Sequence, residues 1–167
     1  MGSHNVVSDK LMSKEEAAYV AGFIDGEGSI YMVKERRPEN CSGFRYGTGL
    51  VVSQCHLGSL EAIRSMTGNG RIISEKKRMS HHKDIWKLSW TPNQMRHILP
   101  QLLPYLIVKH RQAVLALQML SLVEGTNNYG KNNTKEQHEI YEQIRALNKR
   151  GLDGPIAPFQ EIRQFVV

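Results

Sequence analysis

Cysteine is nearly absent from this chain of 167 residues: Cys41 and Cys55 are too few for a disulfide scaffold and fit no metal-ligand or redox spacing. A reducing compartment is the expectation. No apolar run is long enough to span a bilayer and no apolar leader precedes the first helix, so a soluble, intracellular protein with no membrane partner is expected. Met1-Gly2-Ser3-His4 reads as a cloning remnant. The histidines, His56, His81, His82, His97, His110 and His138 among them, form no metal-ligand set. There is also no His-Asn-His cluster, Gly-rich phosphate loop or Ser-His-Asp pattern. Acidic residues are the scarcer charge. Sixteen Asp and Glu against 22 Lys and Arg give a formal charge of +6 and a sequence pI near 9.4, which favours a polyanionic partner. With 40% hydrophobic content, the length suits one globular domain with a real core.

What is present is concentrated in residues 17–30. Ser13 and Glu16 form a capping box, so a helix is expected from Lys14 to Asp25. Small Ala17, Ala18, Ala21 and Gly22 alternate with large Tyr19, Val20, Phe23 and Ile24, leaving almost no polar face. Such a helix is buried on most sides, and its small residues let another backbone approach closely. It is expected to break in Asp25-Gly26-Glu27-Gly28, where two glycines permit conformations closed to other residues. Two carboxylates then stand at the negative end of the helix dipole, which is unfavourable unless a cation sits there. The bland alternative is a glycine cap followed by two solvated acids.

Downstream, strand signals cover Ser29 to Arg37 and Phe44 to Gln54, a natural hairpin. Leu60, Ile63 and Met66 mark a short helix over residues 58–66, ended by Thr67-Gly68-Asn69-Gly70. Arg71 to Glu75 and Lys83 to Trp90 form a second hairpin. Thr91 and Pro92 open another helix, expected to be interrupted at Pro100 and stopped before Pro104. A long helix is expected from Tyr105 to Val123, then a polar one from about Thr134 to Arg150. Residues 1–12 read as an N-terminal arm, 13–150 as the domain and 151–167 as a tail, either small helix or ordered coil. Two helix-plus-hairpin units give an α+β fold: a four-stranded antiparallel sheet with helices on one face.

The run Tyr19-Val20-Ala21-Gly22-Phe23-Ile24-Asp25-Gly26-Glu27-Gly28-Ser29-Ile30 resembles the signature of the LAGLIDADG homing endonucleases. The resemblance implies an αββαββα core over roughly residues 13–125, with a saddle-shaped sheet lying in the DNA major groove. It implies that the second acid, Glu27, binds a divalent metal with help from the Gly26 carbonyl. The implied cation is Mg²⁺, with Mn²⁺ able to substitute and Ca²⁺ binding without supporting cleavage. By the same resemblance Gln54 falls where a polar residue orients active-site water, and Lys109 where a basic residue offsets developing charge. The bland readings are a solvated strand-end side chain for Gln54 and a phosphate contact or surface charge for Lys109, in Lys109-His110-Arg111. Where the family often has another basic residue a few positions past the glutamine, this chain has Leu57-Gly58-Ser59, so His56 or Arg111 would have to supply that contact.

Alternation along the strands puts Ile30 and Met32 against the helices and turns Tyr31, Val33, Glu35 and Arg37 outward, with Arg45, Gly47, Gly49, Val51 and Ser53 beside them. A register slip of one residue would reverse every side chain. In the second hairpin Trp86, Leu88 and Trp90 face the core, leaving Lys83, Ile85, Lys87 and Ser89 outward. Arg71, Lys76, Lys77, Arg78, Lys83 and Lys87 are the candidate phosphate-contacting edge; their bland reading is a solvated hairpin tip.

Phosphodiester hydrolysis needs a polarised phosphate, an activated water and a stabilised leaving oxygen. Mg²⁺ commonly binds through one or two carboxylates, with phosphates and waters completing its shell. The motif occurs once, so two chains would have to meet, through Ala18, Ala21, Gly22 and Asp25, to assemble a full site. The expectation is therefore a homodimeric, intron-encoded, Mg²⁺-dependent double-strand DNA endonuclease that cuts a nearly palindromic site across the minor groove and leaves 3′ extensions. The alternative is a non-cleaving DNA or RNA binder of the same fold, such as an intron-splicing maturase.

Overall fold

A computed structural model describes residues 8–38, 43–75, 83–123 and 135–149. Its elements run α1 (Lys14–Glu27), β1 (Gly28–Arg36), β2 (Phe44–Gln54), α2 (Leu57–Thr67), β3 (Arg71–Ser74), β4 (Trp86–Trp90), α3 (Pro92–Leu102), a 3₁₀ turn (Leu103–Tyr105), α4 (His110–Val123) and α5 (Lys135–Leu147). The four strands form one antiparallel sheet in the order β1-β2-β4-β3, so the first strand of each hairpin lies at an edge. This is the expected α+β architecture.

One face of the sheet is covered. Ile30, Leu50, Val52, Leu88 and Trp90 meet Val20 and Ile24 of α1, Leu60 and Ile63 of α2, and Met95, Ile98, Leu99 and Leu102 of α3 in a single core. Each fully buried aliphatic there contributes about 1.5–3 kcal/mol of transfer free energy. A second cluster, Tyr46, Leu115, Met119, Ile140 and Ile144, seats α4 and α5 under the far end of β1 and β2. Asn148 ties the end of α5 to the sheet by donating to the Ile30 carbonyl at 2.9 Å.

The capping box forms as expected, with the Ser13 amide donating to Glu16 and the Glu16 amide to the Ser13 hydroxyl. The other end of α1 corrects the expectation of a break at Asp25. The helix continues through Glu27, and neither Gly26 nor Gly28 has a positive φ. Gly28 is required for closeness instead: a Cβ there would lie 2.7 Å from the Ile24 carbonyl oxygen, the acceptor of its own amide.

Pro100 does not interrupt α3. Its ring is exposed, and the helix runs on to Leu102, with the side-chain amide of Gln101 donating to the His97 carbonyl at 3.0 Å. The expected long helix from Tyr105 likewise begins only at His110, because the amides of residues 107–109 bond elsewhere. β4 begins at Trp86 rather than Lys83, although the Glu75 amide still donates to the Ile85 carbonyl at 2.8 Å. Of the arm, residues 8–12 are docked. Ser8 exchanges hydrogen bonds with Asn69, Lys10 donates to the Ser65 carbonyl, and the Met12 amide donates to Gln101. Lys76, Lys77, Arg78, His81, His82, Cys41, Thr134 and the tail 151–167 lie outside the described residues. Among the described residues, no helix is long and apolar enough to cross a membrane.

Candidate active site and nucleic-acid face

The uncovered face of the sheet follows from register. Tyr31 pairs with Gly49, Val33 with Gly47 and Glu35 with Arg45; farther across, Val51 pairs with Ser89, and Ser53 with Lys87. Arg71 lies opposite Ser89 and Ile73 opposite Lys87. Tyr31, Arg45, Ser53, Arg71 and Lys87 therefore share one face, on the side opposite the helices. The alternation gave the correct register. Arg37 sits one residue past β1 and pairs with Glu35 at 3.3 Å, while Lys83 is exposed ahead of β4. Lys87 is ion-paired with Glu75, which reduces its free charge. Ile73, 42% exposed on this face, was missed, although period two from Arg71 finds it.

Glu27 and Gln54 stand at one end of the β1–β2 ladder: Glu27 ends α1 one residue before Gly28, which pairs with Val52, and Gln54 ends β2 two residues further on, where alternation places it with Leu50 and Val52 on the helix-covered side. Glu27 is exposed and Gln54 half-buried. Lys109 joins them from the segment before α4, where its ammonium donates to the Asp25 carbonyl. Burial pushes its pKa below the ordinary lysine value, and the Asp25 and Glu27 carboxylates oppose that shift.

The carboxylate of Asp25, a residue expected at an interface between chains, is engaged within its own chain: Oδ2 accepts from the amides of Ile107 (2.7 Å) and Val108 (3.1 Å), and Oδ1 from that of Lys109 (2.8 Å). These donors lead into the positive end of α4, so the dipole penalty at the end of α1 is offset within the chain. Nothing local signals this bond, since its partners lie 82 to 84 residues away in sequence.

Ala21 is likewise fully buried in the chain's own core and has no surface to offer a partner. Ala18, Tyr19, Gly22 and Gly26 do share an exposed face of α1. A Cβ on Gly22 or Gly26 would meet nothing within 4 Å. His56 is no bystander: its ring nitrogen accepts from the Ser59 amide at 3.2 Å and caps α2.

Chemically, the α1 terminus offers an exposed carboxylate and the Gly26 carbonyl, in the last turn where intrahelical donors have run out. Among the described residues, no three His, Cys, Asp or Glu side chains converge as a closed metal cage. An oxygen-only, open donor set of this kind fits a hard divalent cation that takes its remaining ligands from phosphate and water.

No family model and no curated protein matches the chain. Solved structures do. The homing endonuclease I-CvuI in complex with DNA aligns over 92% of this chain and 93% of its own, with 21% identity and a TM-score of 0.65. The archaeal intron-encoded homing endonuclease I-Vdi141I, complexed with DNA, aligns over 91% and 94% with 19% identity and a TM-score of 0.67. The LAGLIDADG homing endonuclease I-SmaMI, bound to cleaved DNA, aligns over 93% of this chain and 47% of its own, with 22% identity and a TM-score of 0.59. With one motif helix and one four-stranded sheet among its described residues, this chain has the fold of the LAGLIDADG homing endonucleases in its single-motif form.

Proposed function

We propose that the protein is a metal-dependent, site-specific double-strand DNA endonuclease that acts as a homodimer and leaves 3′ extensions. The observation that carries this reading is the position of Glu27: an exposed carboxylate beside Lys109, one step beyond the end of an uncovered sheet face. That face presents Arg45, Arg71 and Lys87 together with Tyr31 and Val33, a mixture suited to phosphates and to apolar base edges. The solved relatives of this fold include proteins bound to DNA.

Glu27 and the Gly26 carbonyl would hold the cation, which when bound supplies Lewis-acid polarisation of the phosphate and an acidified water. Mg²⁺ is the expected ion. Lys109 holds a positive charge beside the same spot, where it stabilises negative charge developing on the phosphate. Gln54 offers both a donor and an acceptor with which to orient water.

One chain provides one such carboxylate, so cutting both strands calls for two copies. The exposed α1 face supports their pairing, because glycine inside a helix costs about 1 kcal/mol relative to alanine and nothing within the chain needs Gly22 or Gly26. Close backbone approach by a second α1 supplies the reason. Leu11, Tyr19 and Val108, at 75%, 54% and 61% exposure, add apolar surface near the ends and along the middle of that helix. Twofold pairing implies a nearly palindromic target.

The test is Glu27→Gln, assayed on duplexes recovered from a randomised library. Nicking in Mg²⁺ should vanish while affinity measured in Ca²⁺ stays within about threefold. Continued cutting removes Glu27 from its role, and a wild-type protein that binds but never cuts favours the splicing or binding reading.

A further inference from the structure

Asp25 and Lys109 hold one another in a closed exchange: the Asp25 carboxylate accepts from the Lys109 amide at 2.8 Å, and the Lys109 ammonium donates back to the Asp25 carbonyl. The same carboxylate takes the amides of Ile107 and Val108, which precede Lys109 in the non-helical segment of residues 106–109 ahead of α4. The ends of that segment are held by other contacts, the Leu106 amide on the Leu102 carbonyl and the Ala113 amide on the Lys109 carbonyl, but its middle is not. Leu106 is buried, but Ile107 and Val108 are 36% and 61% exposed and contribute little packing. Three charge-assisted hydrogen bonds therefore do what apolar contacts do elsewhere in the fold.

We propose that Asp25 is a positioning residue that fixes the Lys109 ammonium beside Glu27 by clamping the backbone of residues 107–109. The proposal rests on the reading above for the part Lys109 plays in cleavage, but not for the placement itself. Both carboxylate oxygens are used, and this decides the effect of substitution. Asparagine has the same shape but one acceptor oxygen, so at least one of the three amides would face an NH₂ group and lose its partner. The segment would loosen, and with it the ammonium.

Two measurements on the full chain test this. The first is acetylation of lysines by a water-soluble amine-reactive ester, followed by peptide mass spectrometry, with Lys10 and Lys87 as internal references. Asp25→Asn should raise the labelling rate of Lys109 several-fold and leave the references unchanged; an unchanged Lys109 rate overturns the proposal. Asp25→Glu, which keeps both acceptor oxygens but displaces them by a methylene, should shift labelling in the same direction by a smaller factor. It carries the test should the Asn variant not fold.

The second is a double-mutant cycle in single-turnover cleavage, with DNA affinity in Ca²⁺ as control. Asp25→Asn should slow cleavage at least about tenfold in the wild-type background and less than about twofold in Lys109→Met, because its effect runs through Lys109. Equal slowing in both backgrounds overturns the coupling. A wild-type protein that cuts no DNA defeats the nuclease reading alone, since labelling still decides whether Asp25 places Lys109.

Discussion

Tyr31 lies across Gly49 on the uncovered face of the sheet: a Cβ on Gly49 would sit 2.5 Å from Tyr31 Cζ and 2.6 Å from its hydroxyl oxygen. Gly49 is thus the floor under an aromatic ring, a cross-strand pairing that shields bare backbone. Gly49→Ala should displace the ring, which clashes through its far end, and leave the strand in place. We expect a stability change within about 1 kcal/mol by urea denaturation but weaker duplex binding by fluorescence anisotropy. Unchanged binding would take Tyr31 out of the DNA surface.

Self-association should depend on Gly22. Gly22→Leu projects a large side chain from the exposed face of α1, where a Cβ would meet nothing within 4 Å. The variant should fold normally and sediment as a monomer. Gly22→Ala should strengthen the isolated helix by about 1 kcal/mol while weakening the dimer, so that its thermal stability and its association constant move in opposite directions.

Gly70 has a different need. Its φ is +114°, and a Cβ there would lie 2.6 Å from Leu88 Cδ1 and 3.1 Å from Trp90 Nε1. Gly70→Ala combines left-handed strain with overpacking of two core side chains, so a loss of about 2–3 kcal/mol is expected in chemical denaturation. A loss under about 0.5 kcal/mol would mean that the turn between α2 and β3 relaxes freely.

Lys109 also predicts a pH dependence. Burial lowers its pKa in the folded state despite the neighbouring carboxylates, so the unfolded chain holds more protons between that lowered value and the ordinary lysine one, roughly 10.4. Stability contributed by this group therefore rises with pH across that window and is lowest once the lysine is charged in both states. Measured without divalent ions, the difference in unfolding free energy between wild type and Lys109→Met should move in favour of the wild type as pH increases. Movement in the opposite direction would mean that the carboxylates outweigh desolvation.

Local chemistry was legible in the sequence and distant chemistry was not. The capping box at Ser13, the N-cap at Thr91 and the alternation in both hairpins involve neighbours within a few residues, and the structure has all of them. The end of α1 and the start of α4 were misread together, for one reason: the Asp25 carboxylate crosses 82 to 84 residues of sequence to take the amides of Ile107 to Lys109. Pro100 was misread because a proline whose ring faces outward can be held inside a helix by the packing of its neighbours, here the fully buried Ile98, Leu99 and Leu102. Ala21 was placed at an interface because small residues on a helix look alike until burial separates those facing home, like Ala21, from those facing out, like Gly22.

The two hairpins differ in reach: β1 and β2 have 9 and 11 residues, β3 and β4 only 4 and 5. At roughly 3.3 Å per residue, β2 is about 36 Å long, close to one full turn of B-form DNA, roughly 34–36 Å. A duplex laid along this ribbon would be followed for a whole turn by the long pair and flanked by the short pair over less than half of it. Base changes should accordingly be felt unevenly within each half-site, most where the long ribbon runs alone.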